Sequence, residues 1–342
     1  MLNNVNKLYA GIDLHKTYMF VTVMNKDGYI QRQGRYENRD HTLIPALLQY
    51  NIPVEATVES SYGWYWLADD LDKAQIPFLL AHPKKVNAIV GKKKTDKEDS
   101  KALADLLRTN LLPQAYIPTK MERNLKELLR FRLHLVEQRS TIKRRIHDIL
   151  AKQNIGFEHS DVLGKKAQDW LSHLNCPSPY REEIDTCLLL ANNLTIQIEQ
   201  FTNRVKYQVQ KDPNAQLLLT IPGIGDILAL TLSVEIGDVY RFANDRALAS
   251  YAGVVPSVHS SGDKTHYGPV SKHGNKYIRW ALAEALVHVT GEGKPLHEFY
   301  QRLKEKKGSP TARVAVMNKM MRIIYAILTK KKPYYREQEK TN

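Results

Sequence analysis

Three strand-forming runs fall within residues 8–36 and constrain the fold more than anything after them. Leu8 to Leu14 is apolar up to Asp13, and Tyr18 to Met24 is rich in β-branched and aromatic residues. Asn25-Lys26-Asp27-Gly28 then supplies turn chemistry, with Asp27-Gly28 suited to positive φ, before Tyr29 to Tyr36 resumes. A short helix is expected over about 40–50, with Leu43, Leu47 and Leu48 on one side. Val54–Glu59 reads as a strand, and Trp64, Leu67, Ala68 and Leu71 mark a helix. Ile76–Ala81 reads as another strand, followed by a helix over Asp99–Arg108 carrying Ala102, Leu103, Leu106 and Leu107.

Hairpin-linked strands followed by alternating helix and strand is the element order of an RNase H-like α/β domain. In that arrangement Asp13 lies in the first strand and Glu59 ends a neighbouring one. Asp96 and Asp99, three residues apart at a helix start, face the same way. Each has a bland reading: Asp96 or Asp99 as a helix cap, Glu59 as a strand-end charge, Asp13 as a turn residue. Taken singly, the bland readings are favoured. Taken together, acids at separated element ends in this order point to one sheet edge holding two Mg²⁺ ions against a phosphodiester.

Charge sharpens that point. The chain of 342 residues carries 50 Lys and Arg against 36 Asp and Glu, a net +14 that suits a polyanionic partner. Acids in such a chain repel the phosphate they must approach unless cations invert the local charge. Lys84, Lys85, Lys92, Lys93 and Lys94 crowd the stretch before Asp96, so a phosphate-gripping loop outweighs the solvated loop that charge runs usually form. Phosphate contacts look alike in DNA and RNA, and these cations do not separate the two. A Gly-Ile-Asp-Leu opening also begins the actin-like and sugar-kinase ATPases, but no glycine-rich phosphate loop follows a later strand here. Cys176 and Cys187 lack metal-ligand spacing, which fits a reducing cytosol. The start has no basic n-region followed by an apolar run, and no run reaches the ~18 residues of a membrane span. A cytoplasmic protein without a membrane partner is expected.

From about 120 to 152 one long helix is expected, with Leu128, Leu135, Ile142 and Ile149 recurring every seven residues. Arginines, Arg139 and Arg144 among them, crowd its other faces, where they suit phosphate contacts. A second amphipathic run covers about 184–209, beyond a break at Asn175-Cys176-Pro177-Ser178-Pro179. A helical hairpin or coiled-coil arm follows from these two runs. Leu219-Thr220-Ile221-Pro222-Gly223-Ile224-Gly225 resembles a helix-hairpin-helix turn, whose Gly223 and Gly225 would let backbone N–H groups meet a phosphate; a plain tight turn is nearly as good a reading. Phe242 through Tyr251 reads as a further helix. Residues 256–265, including His259-Ser260-Ser261-Gly262-Asp263, read as a polar loop before a helix from about Lys276 to Val289. Composition alone gives no reason to call either serine a nucleophile.

In order along the chain, Gly11-Ile12-Asp13, Val58-Glu59, Lys94-Thr95-Asp96-x-x-Asp99 and Ile221-Pro222-Gly223-Ile224-Gly225 resemble the DEDD transposases of bacterial insertion sequences, insertion-sequence family 110. Tyr251-Ala252-Gly253-x-x-Pro256, Ser261-Gly262 and Lys272-x-Gly274 through Arg279-x-Ala281-Leu282 extend the resemblance over nearly the whole chain. It implies a RuvC-like catalytic domain over residues 1–115, a coiled-coil region over 116–212, a mostly helical transposase domain over 213–330 and a tail over 331–342. It implies Mg²⁺ at Asp13, Glu59, Asp96 and Asp99, and a nucleophilic serine that falls on Ser261, with Ser260 beside it as the alternative. It further implies exchange of donor and target DNA strands under a structured guide RNA, in a dimer or tetramer. Two readings stand against it: a metal-only junction nuclease with water as nucleophile, and a non-catalytic nucleic-acid-binding protein.

Overall fold

Apolar alternation builds the N-terminal sheet; the computed structural model describes residues 7–61, 63–91, 95–261, 264–270 and 274–334 of the chain, with 256–261 and 264–270 described by their backbone. The chain divides after Ile117 into two compact units, each described by itself.

In the first unit, β1 (Leu8–Leu14), β2 (Tyr18–Met24) and β3 (Ile30–Glu37) form an antiparallel meander. After α1 (Leu43–Leu48), β4 (Val54–Glu59) joins β1 in parallel; after α2 (Trp64–Lys73), β5 (Phe78–Ala81) joins β4 in parallel. Then come α3 (Pro83–Val90), α4 (Asp96–Arg108) and a short β6 (Gln114–Ala115), giving the six-stranded order β3-β2-β1-β4-β5-β6. This mixed sheet is consistent with a RuvC-like domain. Strand alternation sorts the two faces. Leu8, Ala10 and Ile12 of β1 pack in one core with Leu43 and Leu47 of α1 and Leu67 of α2. The intervening Gly11 faces α4 on the other side. A Cβ at Gly11 would lie 2.1 Å from the Ser100 carbonyl oxygen and 2.3 Å from the Ala104 nitrogen, so this helix rests directly on β1 backbone. Helix α4 begins at Asp96 rather than at Asp99 because Thr95 caps it, accepting from the Glu98 amide. Its Ser100 bonds Thr22 of β2 at 2.8 Å in a buried contact.

The second unit is mostly helical. Its α5 (Lys120–Lys152) opens with a capping box in which Thr119 and Glu122 satisfy each other's backbone amides. After α6 (Lys165–His173), which the sequence reading did not anticipate, α7 (Tyr180–Lys211) returns antiparallel to α5. Arg132 meets Thr202 at 2.8 Å and Arg139 meets Thr195 at 3.2 Å, in opposite order along the two helices. Then follow α8 (Pro213–Leu219), α9 (Asp226–Ile236) and α10 (Asp245–Ala252). The stretch read as one helix from Phe242 instead begins at Asp245, where Asn244 caps it.

Residues 256–261 and 264–265, expected as part of a loop, instead belong to a β-hairpin of β7 (Pro256–Ser261) and β8 (Lys264–Val270). α11 (Lys276–Thr290), α12 (His297–Lys307) and α13 (Ser309–Lys330) complete the unit. Buried around its whole circumference from Ala229 to Ile236, α9 forms the centre of the C-terminal core. Its one acid there, Glu235, meets Arg130 at 2.8 Å and Lys126 at 3.8 Å, both from α5, and accepts from Asn275, the N-cap of α11. No described helix is long and apolar enough to cross a membrane.

Candidate functional site

Strand β1 ends where β2 turns back, and that reversal gathers one cluster of side chains. Asp13 is the penultimate residue of β1, and His15 and Tyr18 follow across the turn. The seating of α4 over Gly11 brings the first turn of that helix, with Asp96 and Asp99, to the same sheet edge. His15 Nε2 lies 3.1 Å from Asp13 Oδ2 and 3.4 Å from Asp96 Oδ1. Ligand atoms of Asp13, His15 and Asp96 all lie within 4.8 Å of one another. Asp99 is close enough for its charge to act on Asp13. Glu59 comes from the neighbouring parallel strand: Ile12 pairs with Val58, and one residue beyond that pair stand Asp13 and Glu59. The structure thus brings Asp13, Asp96 and Asp99 together, with Glu59 adjacent by strand register.

The electrostatics of this cluster favour a cation. Burial raises the Asp13 carboxyl above its usual range; His15 opposes that rise, and the charges of Asp96 and Asp99 add to it. Asp96 is held lower, chiefly because the Tyr18 hydroxyl donates to its Oδ2 at 2.8 Å. Tyr18 is clamped in turn, its ring stacked on His15 at 4.7 Å and covered by the Arg35 guanidinium at 3.9 Å. Crowded carboxylates with one half-buried member are the hard oxygen donor set that suits a divalent ion, and the residues fit such an ion.

His15, Tyr18 and Arg35 escaped the sequence reading. Alternation from Asp13 through the turn was the available signal: residues 13 and 15, two apart, point to one side of a strand end.

The other expected contacts fall in different places. Lys84 and Lys85 are exposed on α3, whereas Lys92, Lys93 and Lys94 lie outside the described residues. Arg144 is exposed on α5, but Arg139 is turned toward α7 through Thr195. Gly223 has φ +82°, and a Cβ there would meet His288 Cβ at 2.6 Å, so packing against α11 already requires glycine. Gly225 caps α9 in an extended conformation with open space around it. Ser261 closes β7, paired with Lys264, and Ser260 pairs with Thr265; Gly262 lies outside the described residues.

An acidic sheet edge on this α/β scaffold is the kind of site that enzymes cutting phosphodiester bonds employ. Residues 10–154 match the family model of a DEDD transposase, described as a transposase, and residues 215–301 match that described as the transposase of the IS116/IS110/IS902 family. The chain is 25% identical over 337 residues to the transposase for insertion sequence element IS1111A of Coxiella burnetii, covering 95% of this chain and 90% of that one. It is also 25% identical to the transposase for IS1328 of Yersinia enterocolitica, covering 95% and 97%. A pilin gene-inverting protein of Moraxella bovis is 36% identical over 123 residues, 35% of this chain and 38% of that one. The chain belongs to the IS110 family of DEDD transposases, enzymes that cleave and rejoin DNA.

Proposed function

We propose that the chain exchanges DNA strands of a mobile element under a structured guide RNA, with Ser261 as nucleophile and Mg²⁺ held by Asp13, Glu59, Asp96 and Asp99. The observation that carries the acidic half is the convergence of Asp13 and Asp96 within 4.8 Å, under the charge of Asp99. Bound there, the divalent ions would neutralise charge developing on the phosphate. His15, reaching both Asp13 and Asp96, and Tyr18, donating to Asp96, fix the carboxylates in place. The resemblance supports the covalent half. Ser261 Oγ forms a bond to phosphorus as the P–O3′ bond breaks; the serine proton is lost and the departing 3′-oxygen ends as a hydroxyl. The resulting 5′-phosphoserine conserves the phosphodiester energy, so a 3′-hydroxyl of the exchanged strand reverses the step without ATP. A RuvC-like domain over 1–115, a coiled-coil region over 116–212 and a transposase domain over 213–330 would divide this work. The net +14 and the pilin-gene inversion named for the Moraxella relative support DNA donor and target; the guide RNA and the dimer or tetramer rest on the resemblance.

The test is to stop the reaction on end-labelled element DNA in Mg²⁺ and map any protein–DNA adduct by mass spectrometry. An adduct on Ser261 is expected. Mg²⁺-dependent nicks without an adduct would instead favour water as nucleophile, and salt-sensitive binding without nicks would leave a binding protein. Tyr18→Phe keeps the ring stack but loses the bond to Asp96. A tenfold to hundredfold loss of cleavage is expected, in the range of about 10–100-fold for a residue that orients a ligand, partly recovered at raised Mg²⁺. Cleavage at the wild-type rate throughout a Mg²⁺ titration would remove Tyr18 from the site.

A further inference from the structure

We propose that the trough between α5 and α11 takes unpaired nucleotides, with Trp280 as the platform on which a base stacks. Helix α11 is buried along Ile278, Ala281, Leu282 and Ala285, yet one turn apart on its other side it carries two aromatics, Tyr277 and Trp280. Both remain partly exposed. Between them and α5 lie two adjoining hollows of about 290 and 700 Å³, which share Leu133, Glu137 and Trp280 as lining.

One end of this trough is rigid. The Arg130 guanidinium sits 4.4 Å from the centre of the Tyr277 ring and is held there by buried Glu235 at 2.8 Å. That anchor offsets part of the Arg130 charge, since Glu235 also meets Lys126, and it fixes Tyr277 as a wall. Farther along, exposed Arg144 and His147 of α5 line the larger hollow, and Lys276 and His134 line the smaller. Lys143 counts for less, since Asp161 holds it at 2.6 Å. An indole with Arg144 and His147 on one side of it and Lys276 and His134 on the other is the chemistry of a single-strand groove: cations follow the phosphates while a ring receives the base face. Glu137, the carboxylate in both hollows, suits a base amine or a sugar hydroxyl rather than a phosphate. A duplex hides its base faces in the stack, so the trough selects an unpaired segment, whether from RNA or from displaced DNA.

The inference uses only the second unit and depends on neither Ser261 nor the acids. Binding is therefore measured with EDTA present, so a wrong catalytic assignment leaves the result untouched. The full-length chain, Trp280→Leu, Trp280→Phe and Arg144→Gln are titrated with a labelled RNA oligonucleotide, DNA of the same sequence and the corresponding duplex. Trp280→Leu is expected to weaken single-strand binding by about tenfold, within the range that stacking on an aromatic supports. Trp280→Phe should retain binding, and Arg144→Gln should lower the salt slope by about one. A loss confined to RNA identifies the strand as RNA, and a loss confined to DNA identifies displaced DNA. Equal losses on duplex and single strand, or no loss, overturn the proposal. Since Trp280 also touches the core, a second readout uses wild-type protein: photocrosslinking to a 5-iodouracil-substituted strand should map to Trp280 or Tyr277, and adducts confined elsewhere overturn it as well.

Discussion

Asp13→Asn is expected to slow DNA cleavage by about a thousandfold or more, the scale of losing a preorganised charge at a reacting phosphate. Its thermal midpoint without divalent metal should stay level or rise. These opposite effects share one cause. Burial and the charges of Asp96 and Asp99 both work against ionising Asp13, and His15 offsets them only in part. An amide of the same shape removes a charge that the apo fold accommodates poorly, as functional groups often do at some cost to stability. Added Mg²⁺ should raise the midpoint of the wild-type chain and leave the variant unmoved, because an ion that binds only the folded site stabilises it by mass action. A parallel fall in midpoint and cleavage would make Asp13 a structural residue, and unimpaired cleavage would dismiss the acidic site altogether.

The placement of the candidate acids was legible because each stands at or near the end of an element whose apolar pattern is strong. Leu8, Ala10 and Ile12 in one strand and Val54, Ala56 and Val58 in the other alternate into one core, so the C-terminal ends of the two strands could be aligned before any contact was known. The partners of Asp96 were not legible. Tyr18 is 78 residues away in sequence and reaches it only because α4 lies over β1 and β2. The β7–β8 hairpin was misread for a different reason. Its serines, histidines and one lysine lack the apolar alternation that marks a half-buried strand, and backbone pairing alone defines it. Lys126 shows the same limit from the other side. A lysine on a basic helix reads as solvated, yet it is buried because Glu235, 109 residues later, meets it there.

The charge pattern and the topology have a common consequence. A basic chain can collect nucleic acid over much of its surface, but only a sheet edge that crowds carboxylates can concentrate divalent cations at one phosphate. That crowding requires α4 to approach β1 closely enough for Asp96 and Asp13 to share His15. Close approach of a helix to a strand is normally limited by the strand's own side chains, so the residue beneath the helix decides how near the acids can come.

Gly11→Ala should therefore disable both fold and site. The new methyl would stand 2.1 Å from one backbone atom of α4 and 2.3 Å from another, and neither can swing aside as a side-chain tip would. Relief requires moving the helix, which strains the buried Thr22–Ser100 bond and the contact of Gln33 with the Lys97 carbonyl. Overpacking a core costs about 1–3 kcal/mol where neighbours can adjust, and a backbone clash puts this variant at about 3 kcal/mol or beyond. Lifting α4 by even an ångström also separates Asp96 from His15, so cleavage should fall about a hundredfold in the protein that still folds. Chemical denaturation and cleavage assays on the same preparation decide the matter. Gly34 on β3 is the control, since a Cβ there meets nothing within 4 Å and Gly34→Ala should leave both readouts near wild type. If Gly11→Ala behaves like that control, α4 does not rest on β1 backbone and the acidic cluster is not assembled in this way.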